Sequence, residues 1–159
     1  MKSRIVSILI VGLLLIIGGF AILYFNQEKI LFLPSKLDLN HQYSFPGNFE
    51  ELNFKTNDGE NINGLLFKAD SSKGLIFYLH GNGGSLNGWG SFANTYTQYG
   101  YDVFMLDYRG YGKSTGIIKS LDQLFEDNQF IYNSFKSKYK EKNIVILGYS
   151  LGSGLAAKL

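Results

Sequence analysis

Cysteine is absent from this sequence. Disulfide scaffolds, thiolate zinc sites and thiol nucleophiles are therefore excluded. Histidine is almost as scarce, with only His41 and His80. Two imidazoles are too few for a histidine metal site unless carboxylates complete it. Proline occurs only at Pro34 and Pro46, and arginine only at Arg4 and Arg109. An excess of one charge is missing too: 15 Lys and Arg face 13 Asp and Glu, a net charge of +2. Lys2 and Arg4 account for that surplus, so the rest of the chain is neutral. This excludes the basic face a nucleic-acid partner requires. Hydrophobic residues make up 45% and charged residues 18%, which excludes a disordered polymer. At 159 residues the length allows one ordinary domain. No pattern in the sequence implies a metal or a cofactor.

The 21-residue run from Ile5 to Phe25 contains no charged side chain. As a helix it would span about 31 Å at 1.5 Å per residue, the thickness of a bilayer core. It shows no polar face, which a helix packed on a soluble core would have. Residues 1–25 are expected to form a transmembrane anchor, with Tyr24 and Phe25 at the outer interface. Lys2 and Arg4 precede the run, and Glu28 and Lys29 follow it without net charge. The positive-inside rule then keeps the N-terminus in the cytoplasm and sends the remainder across. The rival reading is a cleaved signal peptide at Gly19-Phe20-Ala21, but Ile22-Leu23-Tyr24-Phe25 carries the apolar run beyond that triplet.

Residues 26–48 read as a connector, and 49–159 as the folded domain. Phe49–Thr56 and Asn61–Ala69 are expected to pair as a hairpin around Asn57-Asp58-Gly59. The apolar runs Gly74–Leu79, Asp102–Asp107 and Ile144–Leu147 read as strands buried on both faces. Helical spacing of apolar residues predicts helices over Leu86–Tyr99 and Leu121–Tyr139, the latter opened by a capping box of Ser120 and Gln123. A further helix begins at Ser150. Strands alternating with helices imply an α/β fold with a largely parallel sheet.

Three motifs follow the ends of the three buried strands. Gly148-Tyr149-Ser150-Leu151-Gly152 lies between a strand and a helix, and its G-x-S-x-G spacing suits a tight turn that lifts the Ser150 hydroxyl above the sheet. Such a turn leaves the Leu151 N–H available to an oxyanion. His80-Gly81-Asn82-Gly83-Gly84 follows the first buried strand, and its glycine-rich backbone suits a second donor, the Asn82 N–H. The third, Leu106-Asp107-Tyr108-Arg109-Gly110-Tyr111-Gly112-Lys113-Ser114, closes the second.

Together these segments resemble the first half of an alpha/beta-hydrolase. FYLHGNGG resembles that superfamily's third strand and oxyanion loop, LDYRGYGKSTG the segment after its fourth strand, and ILGYSLGSG its fifth strand and nucleophile elbow. The apolar N-terminus followed by ILFLP further resembles a membrane-anchored branch near the serine-aminopeptidase-like and alpha/beta-hydrolase-domain serine hydrolases. The resemblance implies a Ser150 nucleophile, oxyanion contacts from Asn82 and Leu151, and hydrolysis of an acyl ester, thioester or amide on a small-molecule or lipid-like substrate. Gly148, Gly152, Gly81 and Gly83 would be the elbow and loop glycines.

The family's acid and histidine follow the serine in sequence, whereas both histidines here precede Ser150 and the chain ends nine residues after it. His80 reads as a structural loop residue, His41 as an exposed polar one, and Asp107 as structural. The triad acid and base are thus expected to be absent from this chain, and the chain alone to be inactive, an N-terminal part of a longer protein. Without further strands, Ile144–Leu147 would form an open apolar edge. Two other readings use the same residues. Gly148, Gly152 and Gly154 match a short-chain dehydrogenase's NAD(P)-binding spacing, though after the wrong strand. A hydrolase fold reused as a non-catalytic binding module is the other. Gly112-Lys113-Ser114 imitates the end of a P-loop, but Asp107 stands where glycine is needed. Arg109 reads as an ion pair holding its loop, in preference to a substrate contact.

Overall fold

The computed structural model describes residues 2–27 and 32–159, without the side chains of Lys2 and Ser3. Glu28 and Lys29, the far flank of the apolar run, and Ile30-Leu31 of ILFLP lie outside the described residues. The chain divides into two compact units, Met1–Phe32 and Leu33–Leu159.

The first unit is helix α1, Lys2–Phe25. Within its stretch Arg4–Phe25 (22 residues) an 18-residue window reaches a mean hydropathy of 3.0, and none of that window is buried. It is long and apolar enough to cross a membrane.

The second unit is built on a five-stranded sheet. Strands β1 (Asn48–Lys55) and β2 (Asn61–Lys68) form the hairpin. The chain then runs through β3 (Leu75–Leu79), helices α2 (Leu86–Trp89) and α3 (Ala93–Thr97), β4 (Asp102–Leu106), α4 (Leu121–Phe135), β5 (Ile144–Gly148) and α5 (Leu151–Lys158). The spatial order is β1-β2-β4-β3-β5. Strand β2 meets β4 antiparallel, while β3 runs parallel to both β4 and β5.

Alternation along the central strands sends side chains to two cores, as period-2 geometry requires. Leu65, Phe67, Ile76, Tyr78, Val103 and Met105 pack against Leu86 and Ala93 on one face. On the other, Phe77 and Phe104 meet Phe135 and Tyr132 of α4, with centroid separations of 4.4–6.1 Å. Each such ring, removed from water, contributes roughly 1.5–3 kcal/mol. The aromatic residues therefore serve mostly as core.

Three elements differ from the sequence expectation. The helix expected over Leu86–Tyr99 is broken by a 3-10 turn at Gly90–Phe92. Gly88 and Gly90 weaken it, and the Phe45 ring occupies the space of a Cβ on Gly90, 2.5 Å from it. Helix α4 stops at Phe135, four residues early, where the Lys136 and Lys138 N–H groups tighten onto carbonyls three residues back; Tyr139 still bonds Phe135 O through its N–H at 2.9 Å and donates its hydroxyl to the buried Asp102 carboxylate at 2.6 Å. Its N-cap forms as expected, with Ser120 Oγ accepting the Gln123 N–H at 3.1 Å, but the Gln123 carbonyl reaches the Lys119 N–H in place of Ser120's. Strand β5, expected to be buried on both faces, lies at one end of the sheet, and Val145 is 46% exposed.

Candidate active site

The site is built where β3 and β5 end side by side. Leu79 is in register with Gly148, and the Tyr149 N–H continues the ladder by donating to the Leu79 carbonyl at 2.9 Å. The chain then reverses within one residue. Ser150 takes φ 52° and ψ −114°, and it is the one non-glycine residue with positive φ among those described. L-residues avoid this region, so a serine held there signals a constrained turn. Helix α5 starts at once: the Gly152 N–H donates to Tyr149 O and the Ser153 N–H to Ser150 O, both at 2.9 Å.

The two flanking glycines are explained by space. A Cβ on Gly148 would run into the Gly152 carbonyl and stand 2.5 Å from Ser153 Cα. One on Gly152 would collide with the Leu79 carbonyl and stand 2.8 Å from His80 O. Strand, elbow and helix approach closely enough that no side chain fits. Ser150 is exposed and its hydroxyl makes no capping bond to its own helix. Leu151 is the first residue of α5, so no carbonyl within the helix can take its N–H.

The loop after β3 lies alongside. Gly81 is overlaid by the Tyr149 and Trp89 rings, which a Cβ would approach to 3.0 and 3.3 Å. Gly83 has φ +102° and its carbonyl accepts the Trp89 indole N–H at 2.9 Å. Asn82 is exposed, and its side-chain Oδ1 accepts the Leu33 N–H at 3.1 Å and the Tyr111 hydroxyl at 2.9 Å. The Trp89, Phe92 and Tyr149 rings, with Leu37 and Ser85, line an open, mainly apolar groove beside the elbow.

His80 is fully buried beneath this loop. Its Nδ1 lies 2.8 Å from the Gly81 carbonyl, which can only accept, so Nδ1 carries a proton. Its Nε2 faces Asp107 Oδ1 at 3.6 Å. Asp107 Oδ1 also accepts the Leu86 N–H at 2.9 Å, capping α2 from the neighbouring loop. Burial pushes the Asp107 carboxyl above the usual carboxylate range, opposed by His80 and the Leu86 N–H. Both groups thus hold the loop after β3 against the loop after β4. His41, expected to be exposed, is half-buried: its Nε2 pairs with Asn87 Oδ1 at 2.9 Å and its ring meets Tyr43. Neither imidazole is bonded to Ser150.

Arg109 is 5% exposed and engaged on both sides. It donates to Asp127 through Nε at 2.5 Å and Nη2 at 2.8 Å, and to Asp58 in the hairpin turn at 2.7 and 2.9 Å. Lys113 is buried against Glu51 at 2.6 Å and bonds the His41 carbonyl. The P-loop imitation is thus a packed ion pair. Among the described residues no cluster of three or more His, Asp or Glu side chains is placed to hold a metal ion.

A strained serine at a strand–turn–helix elbow, in a mixed sheet of order 1-2-4-3-5 whose β4, β3 and β5 run parallel, defines the N-terminal half of an alpha/beta-hydrolase sheet. The family model described as serine aminopeptidase, S33, matches residues 70–159, and the chain belongs to that family of hydrolases. Among curated relatives, protein phosphatase methylesterase 1 of Candida albicans is 35% identical over 116 residues, 69% of this chain and 32% of that protein. The uncharacterised protein YfhR of Escherichia coli K12 is 30% identical over 114 residues, covering 67% of this chain and 40% of YfhR. The lysophosphatidylserine lipase ABHD12 of Danio rerio is 37% identical over 91 residues, 56% of this chain and 24% of the lipase. A Vibrio vulnificus alpha-beta hydrolase superposes with a TM-score of 0.63 at 28% identity, over 71% of this chain and 39% of that one. An esterase of Pyrococcus furiosus shares the fold, with a TM-score of 0.63 at 22% identity over 80% of this chain and 50% of the esterase. The chain spans about a third of the methylesterase and two fifths of YfhR. In a hydrolase Gly148 and Gly152 flank the elbow serine and Gly154 is a residue of α5, which removes the dehydrogenase reading.

Three features escaped the sequence reading: the double use of the Asn82 side chain, the buried Tyr111 that meets it, and the bonds of residues 33–37 described below. The only signal was the ILFLP run, whose role was not legible.

Proposed function

We propose that the whole protein is a serine hydrolase that cleaves an acyl ester, thioester or amide through an acyl-enzyme. The observation that carries this reading is the backbone of Ser150, held at positive φ with its hydroxyl exposed above the ends of β3 and β5. Ser150 Oγ attacks the acyl carbon and its proton passes to a general base. Negative charge develops on the carbonyl oxygen, opposite the backbone N–H groups of Leu151 and Asn82. The leaving group departs with a proton, and water then hydrolyses the Ser150 ester. The base is neither His80, whose ring nitrogens face Gly81 O and Asp107, nor His41, which holds Asn87. It and its acid partner belong to the whole protein rather than to these residues, so the chain alone is expected to be inactive.

A lipid-like acyl substrate is supported by the apolar groove beside the elbow and by α1, which in this reading anchors the protein with its N-terminus in the cytoplasm and the hydrolase unit across the membrane. The names of two relatives, a methylesterase and a lysophosphatidylserine lipase, agree with ester chemistry.

The test is labelling of the whole protein in membranes with a fluorophosphonate probe. Labelling is expected in the wild type and absent in Ser150→Ala. A folded wild type that never labels sinks the catalytic reading and leaves the binding module.

A further inference from the structure

We infer that residues 33–37 are a positioning strap for the oxyanion loop, and that the Asn82 side chain is its clasp. The inference rests on the reading of Ser150 and the Asn82 N–H given above.

The strap runs between two loops and bonds both. On one side the Gly84 N–H donates to Leu33 O at 3.2 Å and the Ser35 N–H to Gly84 O at 2.9 Å, making a parallel bridge between Pro34 and Gly84. On the other, the Gly112 N–H donates to Ser35 O and the Leu37 N–H to Gly112 O, both at 2.9 Å, pairing Lys36 with Gly112. The strap thereby ties the loop after β3 to the loop after β4. It then adds a contact aimed at one side chain. The Leu33 N–H and the Tyr111 hydroxyl both donate to Asn82 Oδ1. These donors come from segments 49 and 29 residues away, and they converge on one oxygen.

Chemistry gives this arrangement a purpose. Three of the four residues from Gly81 to Gly84 are glycine, so the loop has almost no side chains of its own to hold it. Glycine also loses the most conformational freedom on ordering. An oxyanion donor works only if it is aimed before charge develops. Fixing Oδ1 from two directions fixes the orientation of Asn82, and with it the direction of its N–H. The fit selects an amide: the oxygen accepts both bonds, while an aspartate would place negative charge beside the developing oxyanion. Asn82 therefore has two parts to play, and its side chain acts on the reaction only through its own backbone. The strap is a positioning element, and its removal should slow the chemical step more than it weakens substrate binding.

The experiment measures hydrolysis of a short-chain nitrophenyl ester by the whole protein in detergent, with a soluble substrate so that membrane access plays no part. Wild type, Ser150→Ala, Asn82→Ala and Tyr111→Phe are compared. Loss of the clasp in Asn82→Ala is expected to lower kcat by about 10- to 100-fold, less than removing a whole oxyanion donor. KM should stay within about twofold, as uniform binding is untouched. Tyr111→Phe keeps the ring and the Leu33 bond, so it should lower kcat by a smaller factor, roughly three- to tenfold, again at constant KM. Amide exchange at Gly84 should quicken in Asn82→Ala while the β3 amides keep their protection. If Asn82→Ala does not fold, Tyr111→Phe carries the test. Ser150-dependent turnover with kcat unchanged in the folded Asn82→Ala, or in Tyr111→Phe if the former is lost, overturns the strap alone. Turnover that survives Ser150→Ala, or none in the wild type, refutes the nucleophile reading and the strap's role with it.

Discussion

The backbone of Ser150 makes a stability prediction that separates strain from chemistry. At φ 52° and ψ −114° the residue lies outside every region that L-residues favour, including the left-handed helical one, where ψ is positive. Holding a non-glycine residue there costs of order 1–3 kcal/mol. Glycine adopts the conformation freely but gives up about 0.5–1 kcal/mol of chain entropy on folding. Alanine keeps the Cβ, and therefore the strain, while lacking the hydroxyl. Comparing Ser150→Gly with Ser150→Ala thus cancels the loss of the hydroxyl, which makes no cap bond in any case. The glycine variant is expected to be the more stable by about 0.5–2 kcal/mol. For a chain of this size that raises the melting temperature by roughly 2–6 °C. Thermal melts in detergent, followed by near-ultraviolet circular dichroism, give the comparison, with urea midpoints as a check. Both variants lack the hydroxyl proposed as the nucleophile, so neither should react with a fluorophosphonate. If glycine proves no more stable than alanine, the elbow is not strained and the reasoning that connects its geometry to the exposed hydroxyl fails.

Removing Asp127, whose side chain is 7% exposed, should cost about 3 kcal/mol because Arg109 stays buried with half its partners. Asp58, 47% exposed at the other end of the same guanidinium and screened by water, should cost clearly less than Asp127 in urea unfolding. Equal costs would contradict that ranking. Hydrogen bonds from Arg109, and then from Thr56, hold the Asp58 carboxyl well below the usual carboxylate range. Its contribution is therefore complete above about pH 4 and lost as pH falls through the lower folded value, so Asp58→Asn should flatten the acid limb of the stability profile. Gly152→Ala should lower stability by at least about 2 kcal/mol, since the new Cβ meets the Leu79 and His80 carbonyls and backbone cannot easily give way. Gly154→Ala, with nothing within 4 Å, should gain roughly 0.5–1 kcal/mol in helix propensity.

Much of the second unit was legible because its signals are local. Continuous apolar runs marked β3 and β4, and Asn57-Asp58-Gly59 marked the hairpin whose strands end within one residue of the expected positions. The G-x-S-x-G spacing was informative for a steric reason that the structure makes explicit: each glycine faces backbone that leaves no room for a Cβ. Errors arose where a tertiary contact overrode periodicity. The Phe45 ring, 45 residues from Gly90, disrupts a helix whose apolar spacing is intact. Asp102, 37 residues from Tyr139, takes its hydroxyl just beyond the point where α4 ends. Neither contact leaves a trace in a local window.

Residues 33–37 show a harder limit. Their four bonds to Gly84 and Gly112 use main-chain atoms only, and any residue but proline could donate them. The bonding groups therefore put no pattern into the sequence at either end. Pro34 fits because it sits at a position of the strap that only pairs, with neighbours Leu33 and Ser35 supplying the bonds. Side-chain identity enters at Asn82, whose amide oxygen accepts from two donors, and at Tyr111, whose hydroxyl is one of them. Read alone, an asparagine between glycines is a turn residue. Its meaning depends on a backbone N–H 49 residues earlier and a hydroxyl 29 residues later. Positioning elements that work through main-chain atoms are visible only once the chain has been folded, whereas the group they aim is already marked in the sequence by the glycines around it.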